Sequence, residues 1–164
     1  MQRPIVLGNQ VSFAAEGTQY LTFTLGGEEY GVEILKVQEI RGYSPITPLP
    51  NTPGYVKGMM NLRGTIIPVV DLRSRLSMRA AEPGPFTVII VVKVGAKVKG
   101  MIVDAVSDVV SIPAAEIQPP PDFGTEPEAR FVKGLAGAGD KLLVLLDLDQ
   151  ALVGDDATPA GAVA

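Results

Sequence analysis

The chain has 164 residues, a net charge of −4 and neither Cys nor His. This length fits one domain, and the missing residue types remove disulfides, thiolate metal sites and the commonest general base. A negative net charge gives no electrostatic footprint for nucleic acid. The apolar runs, such as 88–92, have the length of strands, so we expect no membrane insertion and a cytoplasmic location.

Short β-rich runs punctuated by Gly and Pro lie between two segments, 1–17 and 154–164, that we expect to be flexible tails. The pattern predicts a single domain at 18–153, which is all-β and also contains short helices. In its first half we expect a hairpin that turns at Gly26-Gly27, one helical turn, a third strand, a second hairpin and a capped helix. In chain order, the first hairpin is predicted at 20–25 and 28–32, the helical turn at 33–36 and the third strand at 37–42. The second hairpin is predicted at 58–62 and 65–70, and the capped helix at 71–76.

The second half is predicted to follow the same plan. Its elements are expected at 86–94, 97–104, 106–112, 131–135, 141–146 and 147–153. A proline-rich stretch precedes the second hairpin of each half, at 44–53 and 111–130, where proline forces an extended path. The runs 88–92 and 142–146 are apolar at successive positions, which predicts strands covered on both faces.

The second half is a diverged copy of the first. The sequence YVKGM at 55–59 recurs 76 positions later as FVKGL at 131–135, and 30–40 matches 99–109 at a shift of 69. About five short strands in each half predict one small barrel from each, because closure protects strand edges. We therefore expect two packed barrel subdomains related by internal pseudo-symmetry. Two similar lobes leave a groove between them that can bind a partner.

Two charged residues are candidate binding residues. Arg63 lies beside Gly64 at a predicted hairpin turn, and its copy is Gly139, so the fold does not require an arginine there. An arginine on a rigid turn can bind a carboxylate or a backbone carbonyl of a partner, although a solvated turn arginine gives the same pattern. Glu39 lies in a β-prone apolar stretch, and its copy Asp108 is also acidic. Exposed strand acids are common, so both interpretations stay open for each residue.

Four apolar residues occupy matched positions in the two halves: Val37, Ile40, Val106 and Val109. They fit a core, and they also fit the two walls of the groove. Strict strand alternation would put Val37 and Ile40 on opposite faces of their strand. The sequence alone therefore does not place all four on one surface.

No combination of residues points to catalysis. Asp71 and Asp147 are copies of one another and fit helix caps. The glycine-rich segment 134–141 lacks the Gly-Lys-Ser/Thr ending of a phosphate loop, so a turn is predicted. We expect no enzymatic activity, no cofactor and no metal.

Several motifs resemble the CheW family of bacterial chemotaxis coupling proteins. The first is GGEEYGVEILKVQEIRG at 26–42. It is followed by NTPGYVKG at 51–58, NLRG at 61–64, IPVVDLR at 67–73, VDAVSDV at 103–109 and FVKGL at 131–135. The resemblance covers residues 18–153 in order, and with no second domain attached the chain is similar to the stand-alone coupling protein. It implies two five-stranded, SH3-like β-barrels packed side by side.

The resemblance also implies a function and a site. Family members are non-enzymatic scaffolds that link the cytoplasmic tips of chemoreceptors to the regulatory domain of the chemotaxis histidine kinase, in membrane-associated arrays. By similarity, the receptor-binding residues of this chain are Val37, Glu39, Ile40, Arg63, Val106 and Val109. Glycines where the family backbone turns tightly are expected at Gly58, Gly64, Gly100 and Gly134.

The alternative is a small β-barrel module that binds another peptide or ligand, as other small barrels do. A nucleic-acid ligand is disfavoured, because the sequence pI is about 4.8 and the only aromatic residues are four Tyr and five Phe. The sequence does not assign the kinase-facing surface residue by residue.

Overall fold

The computed structural model describes residues 17–120, 130–138 and 140–152. Over these residues the chain forms ten strands and two short α-helices. The strands are β1 (Thr18–Leu25), β2 (Glu28–Glu33), β3 (Val37–Gly42), β4 (Val56–Leu62), β5 (Thr65–Asp71), β6 (Val88–Val94), β7 (Lys97–Val103), β8 (Ala105–Ile112), β9 (Val132–Ala138) and β10 (Lys141–Leu146). The helices are α1 (Leu72–Arg75) and α2 (Leu148–Leu152), and 3₁₀ turns lie at Ile34–Lys36 and Ala114–Glu116. The expected tails lie outside the described residues, except for Gly17.

Local sequence signals explain these elements, whose ends differ from the prediction by a few residues. Gly26 and Gly27 both have positive φ angles in the β1–β2 turn. Asp71 caps α1, because its carboxylate accepts the backbone N–H of Arg73 at 3.1 Å. Its copy, Asp147, accepts the backbone N–H of Gln150 at 3.2 Å beside α2. The two halves therefore repeat their caps as well as their strands.

The strands form two five-stranded sheets, ordered β8-β1-β2-β10-β9 (barrel A) and β3-β6-β7-β5-β4 (barrel B). The repeat relates β1–β5 to β6–β10 in order, and replacing each strand by its counterpart converts one sheet order into the other. Contacts between strands repeat too. Gly31 pairs with Leu145 in barrel A, and its counterpart Gly100 pairs with Val69 in barrel B. This order confirms the internal pseudo-symmetry.

The two halves do not form one barrel each, contrary to the sequence-based expectation. Each half gives its first hairpin to one barrel and its remaining three strands to the other. In barrel A, β8 and β2 both run antiparallel to β1, so β8 is parallel to β2. If β3 lay beside β1 in the position of β8, it would be parallel to β2. The connection from β2 to β3 would then have to be a crossover of about a dozen residues. The three-residue turn Ile34–Lys36 is too short, so the chain passes into the other sheet.

Among the described residues, three clusters of buried side chains make up the core. The largest lies between the sheets and combines residues such as Phe23 and Val32 of barrel A with Ile90 and Met101 of barrel B. The others lie within barrel B, around Ile67, Val69 and Val91, and within barrel A, around Tyr20, Leu143 and Leu145. Strand β6 contributes alternate residues to two clusters, which confirms that it is covered on both faces. Strand β10 likewise contributes Leu143 and Leu145 to one cluster and Leu146 to another, so it is also covered on both faces, except at Leu142, which is exposed.

Candidate functional site: the inter-barrel surface

Strands β3 and β8 are counterparts in the repeat, and each lies at the end of its sheet order. Each carries a β-bulge at the same place. On β3, Val37 pairs with Val92 and Glu39 with the adjacent Val91, which leaves Gln38 as the extra residue. On β8, Val106 and Asp108 pair with adjacent residues of β1, which leaves Ser107 as the extra residue. A bulge shifts the alternation of side chains by one position.

These bulges bring the matched apolar residues onto equivalent faces. Val37 and Ile40 pair with Val92 and Ile90, which both face the inter-barrel cluster. In the same way Val106 and Val109 pair with Phe23 and Leu21 of that cluster. Strict alternation, which separated Val37 from Ile40 in the sequence analysis, does not hold at these strands.

Val37 and Val106 are partly buried against the inter-barrel cluster, whereas Ile40 and Val109 are 44% and 45% exposed. Each sheet therefore presents one covered and one exposed apolar side chain beside the joint between the barrels. We call Val37, Ile40, Val106 and Val109 together the inter-barrel surface. An exposed apolar patch is a feature of protein interaction surfaces.

Glu39 and Arg63 form a bidentate ion pair next to this surface. The guanidinium donates to Glu39 Oε1 at 3.2 Å and to Oε2 at 2.5 Å, and Arg41 lies 3.5 Å from the same carboxylate. The hydrogen bond from Arg63 is the main reason that the pKa of Glu39 is lowered, and it raises the pKa of Arg63 in turn. Because β3 and β4 lie at opposite ends of the sheet order, the pair joins the two edges of barrel B.

Local geometry explains why Arg63 is held in place. Arg63 has a φ of 51° in the β4–β5 turn, a left-handed conformation that is uncommon outside glycine. Gly64 follows it with a φ of 93°, and its backbone N–H donates to Asn61 Oδ1 at 2.7 Å. The turn therefore presents the guanidinium on a hydrogen-bonded backbone, and Arg63 remains 67% exposed on its side chain.

The four glycines expected at tight turns do not all lie in turns. Gly64 does, but Gly58, Gly100 and Gly134 lie within β4, β7 and β9. At Gly58 a Cβ atom would overlap the carbonyl oxygen of Thr47, and the φ of 151° also disfavours other residues. At Gly134 and Gly100 an added Cβ would come within 2.5 and 2.9 Å of isoleucine side chains. Close packing, and not chain reversal, therefore requires glycine at these three positions.

A second ion pair, missed by the sequence analysis, connects the two barrels. Asp104 separates β7 of barrel B from β8 of barrel A, and Arg73 of α1 donates to its carboxylate at 2.9 and 2.6 Å. The backbone N–H of Gly26, in the β1–β2 turn of barrel A, donates to the same carboxylate at 2.8 Å. The Arg73 hydrogen bond is the largest cause of the lowered pKa of Asp104, opposed by partial burial and aided by Gly26.

Arg75, also in α1, lies between the repeat-related aromatic rings of Tyr55 and Phe131, with its guanidinium carbon 4.2 and 4.6 Å from their centroids. Its Nε donates to the carbonyl oxygen of Ala151, the residue that corresponds to Arg75 in the second half. Arg75 therefore joins counterpart elements of the two barrels. A comparison of the halves could have found these residues, because the counterparts of Arg73, Arg75 and Asp104 are Asp149, Ala151 and Leu35.

The acidic side chains of the described residues bear on two possible sites, a metal site and a depression on the surface. Within 17–120, 130–138 and 140–152, no group of three or more Asp or Glu side chains could hold a metal ion. A shallow depression beside the linker between the halves contains Asp71 and Asp104, which are committed to capping α1 and binding Arg73. Among the same residues, no helix has the length and apolar character that crossing a membrane requires.

Comparison with known proteins identifies the family. A family model described as a CheW-like domain matches residues 19–155. The chain belongs to the CheW-like domain family. It is 44% identical over 140 residues to a chemotaxis protein CheW of Klebsiella aerogenes, across 85% of this chain and 84% of that protein. A chemotaxis protein CheW of Rhizobium meliloti is 43% identical over 133 residues, across 81% and 86% of the two chains.

A solved CheW structure has the same fold. The crystal structure of the scaffolding protein TtCheW from Thermoanaerobacter tengcongensis superposes with a TM-score of 0.77 at 34% sequence identity. The match covers 86% of this chain and 97% of the other. The two packed five-stranded sheets are therefore the CheW architecture, as the sequence motifs predicted.

Proposed function

We propose that this CheW-like protein is a non-enzymatic scaffold that couples chemoreceptors to the chemotaxis histidine kinase in cytoplasmic, membrane-associated signalling arrays. Family membership supports the scaffold role, since the relatives are named chemotaxis proteins and the solved structure is named a scaffolding protein. In this proposal one partner is the cytoplasmic tip of a chemoreceptor, and the other is the regulatory domain of the kinase.

The proposed receptor site rests on one observation, the pair of matched edge strands β3 and β8. Both β3 and β8 turn their apolar residues toward the joint between the barrels, and each leaves one of them, Ile40 or Val109, almost half exposed. A helical hairpin can lay its apolar face on such a surface, as in helix-in-groove recognition. Glu39 and Arg63 then provide polar contacts at the edge of the apolar surface.

Titration of the purified protein with a chemoreceptor cytoplasmic hairpin, with and without the histidine kinase, tests this proposal. The wild type should bind both partners in one complex. Val109→Asp and Ile40→Asp should weaken hairpin binding at least tenfold, because they place a charge in an apolar contact. Leu142→Asp is the matched control, since Leu142 is 53% exposed on barrel A outside the inter-barrel surface.

Arg63→Ala and Glu39→Ala should also weaken hairpin binding while the circular dichroism spectrum stays that of the folded protein. Equal binding by both Asp variants and the wild type would refute the assigned surface. Binding of the wild type to neither partner would refute the scaffold proposal itself, and a small barrel that recognises another peptide or ligand would then be the better interpretation.

A further inference from the structure

The acid on each side of the inter-barrel surface follows the bulge residue of its strand. Glu39 on β3 pairs with Val91, and Asp108 on β8 pairs with Thr22. The repeat relates the two acids at a shift of 69 positions. Each is therefore the residue immediately before the exposed apolar side chain of its strand, Ile40 or Val109, and lies on the opposite face of the sheet.

Only one of these two acids has a cation within the described part of the chain. Glu39 is bound by Arg63 and approached by Arg41. The sequence gives Gly139 and Val110 as the counterparts of these two arginines. Among the described residues, the Asp108 carboxylate accepts one hydrogen bond, from the backbone N–H of Val109 at 2.7 Å, and forms no ion pair. Asp108 is exposed.

A second acid lies close to the same strand. Ser107, the bulge residue of β8, donates its hydroxyl to Glu29 on β2 at 3.3 Å. Within the described part of the chain, the β8 side of the surface thus carries negative charge that no ion pair neutralises, whereas the β3 side carries two arginines and one glutamate. Two edge strands with matching bulges and matching apolar positions therefore differ in the sign of the charge beside them. A partner that spans both sides meets a charge pattern that distinguishes its two orientations.

We infer that Asp108 binds a basic side chain of the helical partner. This side chain lies beside Asp108 as Arg63 lies beside Glu39 in barrel B. This inference rests on the proposed function and adds the chemistry and orientation of the partner. The partner is a helical hairpin that contacts Val109 and carries an Arg or Lys long enough to reach past the edge of β8 to Asp108, on the opposite face of the sheet. An arginine suits the site because its planar fork can bind a carboxylate through two parallel hydrogen bonds.

Asp108→Asn is the direct test. The amide oxygen of asparagine can still accept the N–H of Val109, so the variant should have the wild-type unfolding midpoint in urea. Its affinity for a chemoreceptor cytoplasmic hairpin should fall about fivefold at low salt. This difference should vanish at about 0.5 M NaCl, because salt screens exposed charges. Asp108→Lys should bind more weakly still. Glu82→Gln, which removes one exposed charge from the linker between the halves, should bind like the wild type.

A double-mutant cycle then identifies the partner group. Each Lys and Arg of the hairpin is replaced by Ala and titrated against the wild type and Asp108→Asn. Replacing one of these basic residues should weaken binding of the hairpin to the wild type but should not weaken its binding to Asp108→Asn. If the wild type binds and Asp108→Asn binds equally tightly with the same salt dependence, this inference is overturned while the proposed function stands. If the wild type does not bind the hairpin, both fail.

Discussion

Replacing Arg73 with Met should destabilise the fold at neutral pH, because Arg73 ties α1 to the residue that connects the two barrels. The wild-type guanidinium makes two hydrogen bonds to Asp104 and donates to the carbonyl oxygen of Arg79 at 2.9 Å. Methionine keeps most of the aliphatic volume and removes all three bonds. The Asp104 carboxylate then keeps only the backbone N–H of Gly26.

The magnitude follows from the exposure of the pair. Each hydrogen bond to a charged group contributes about 1.5–3 kcal/mol when its loss leaves the partner unsatisfied. The Arg73 and Asp104 side chains are 19% and 32% exposed, so water replaces part of what Asp104 loses. We therefore expect a net loss of about 2 kcal/mol, which lowers the melting temperature of a domain of this size by about 4–8 °C.

The loss should depend on pH. The pKa of Asp104 is lowered from 3.8 in the folded protein, with the Arg73 hydrogen bond as the largest cause. A lowered folded-state pKa adds stability above the unfolded value, and that stability disappears as the pH falls through the folded-state pKa. In Arg73→Met the pKa of Asp104 should move back toward 3.8. The stability difference between variant and wild type should therefore shrink as the pH falls below about 4.

Urea unfolding followed by far-ultraviolet circular dichroism at pH 7 and at several pH values below 4 measures both effects. Arg79→Met is the matched control, because it removes one positive charge from an exposed side chain. It should change the free energy of unfolding by less than about 0.5 kcal/mol. Equal midpoints for Arg73→Met and the wild type at pH 7, or a difference that stays constant down to pH 2, would refute the role assigned to this ion pair.

Three further predictions concern packing and topology. Gly58→Ala should lower the free energy of unfolding in urea by at least about 3 kcal/mol, because the added Cβ overlaps backbone atoms and the φ angle is unfavourable. Gly54→Ala should lower it by almost nothing, because no atom lies near the Cβ position. Leu145→Ala should cost about 2–5 kcal/mol because the side chain is fully buried within barrel A, and the exposed Leu142→Ala should cost less than about 1 kcal/mol; similar costs would contradict the burial pattern. Cleavage at a protease site placed in the exposed linker 79–86 should leave the halves eluting as one species in gel filtration, because both barrels contain strands from both halves; separation under native conditions would contradict the exchanged topology.

The candidate site was predictable from sequence in part. Comparing the halves singled out Arg63, and Glu39 stood out as an acid in an apolar stretch. The structure shows that they bind each other, a pairing that the sequence did not predict. The four apolar residues were found by matched positions, but their common orientation depends on bulges at Gln38 and Ser107. A bulge depends on the register of the neighbouring strand, which one strand's own sequence does not contain.

Local sequence signals specify the strands, turns and short helices of this protein. Glycine turns, a capping aspartate and β-rich runs are local signals, and local signals suffice for hairpins, short helices and the internal repeat. Which strands share a barrel, and which charges meet between the barrels, such as Arg73 and Asp104, depends on the assembled structure. Both halves have the same order of strands, so that order alone does not say which first hairpin joins which set of three strands. The choice depends on the length of Ile34–Lys36 and on burying both faces of β6 at once, which are properties of the assembled chain.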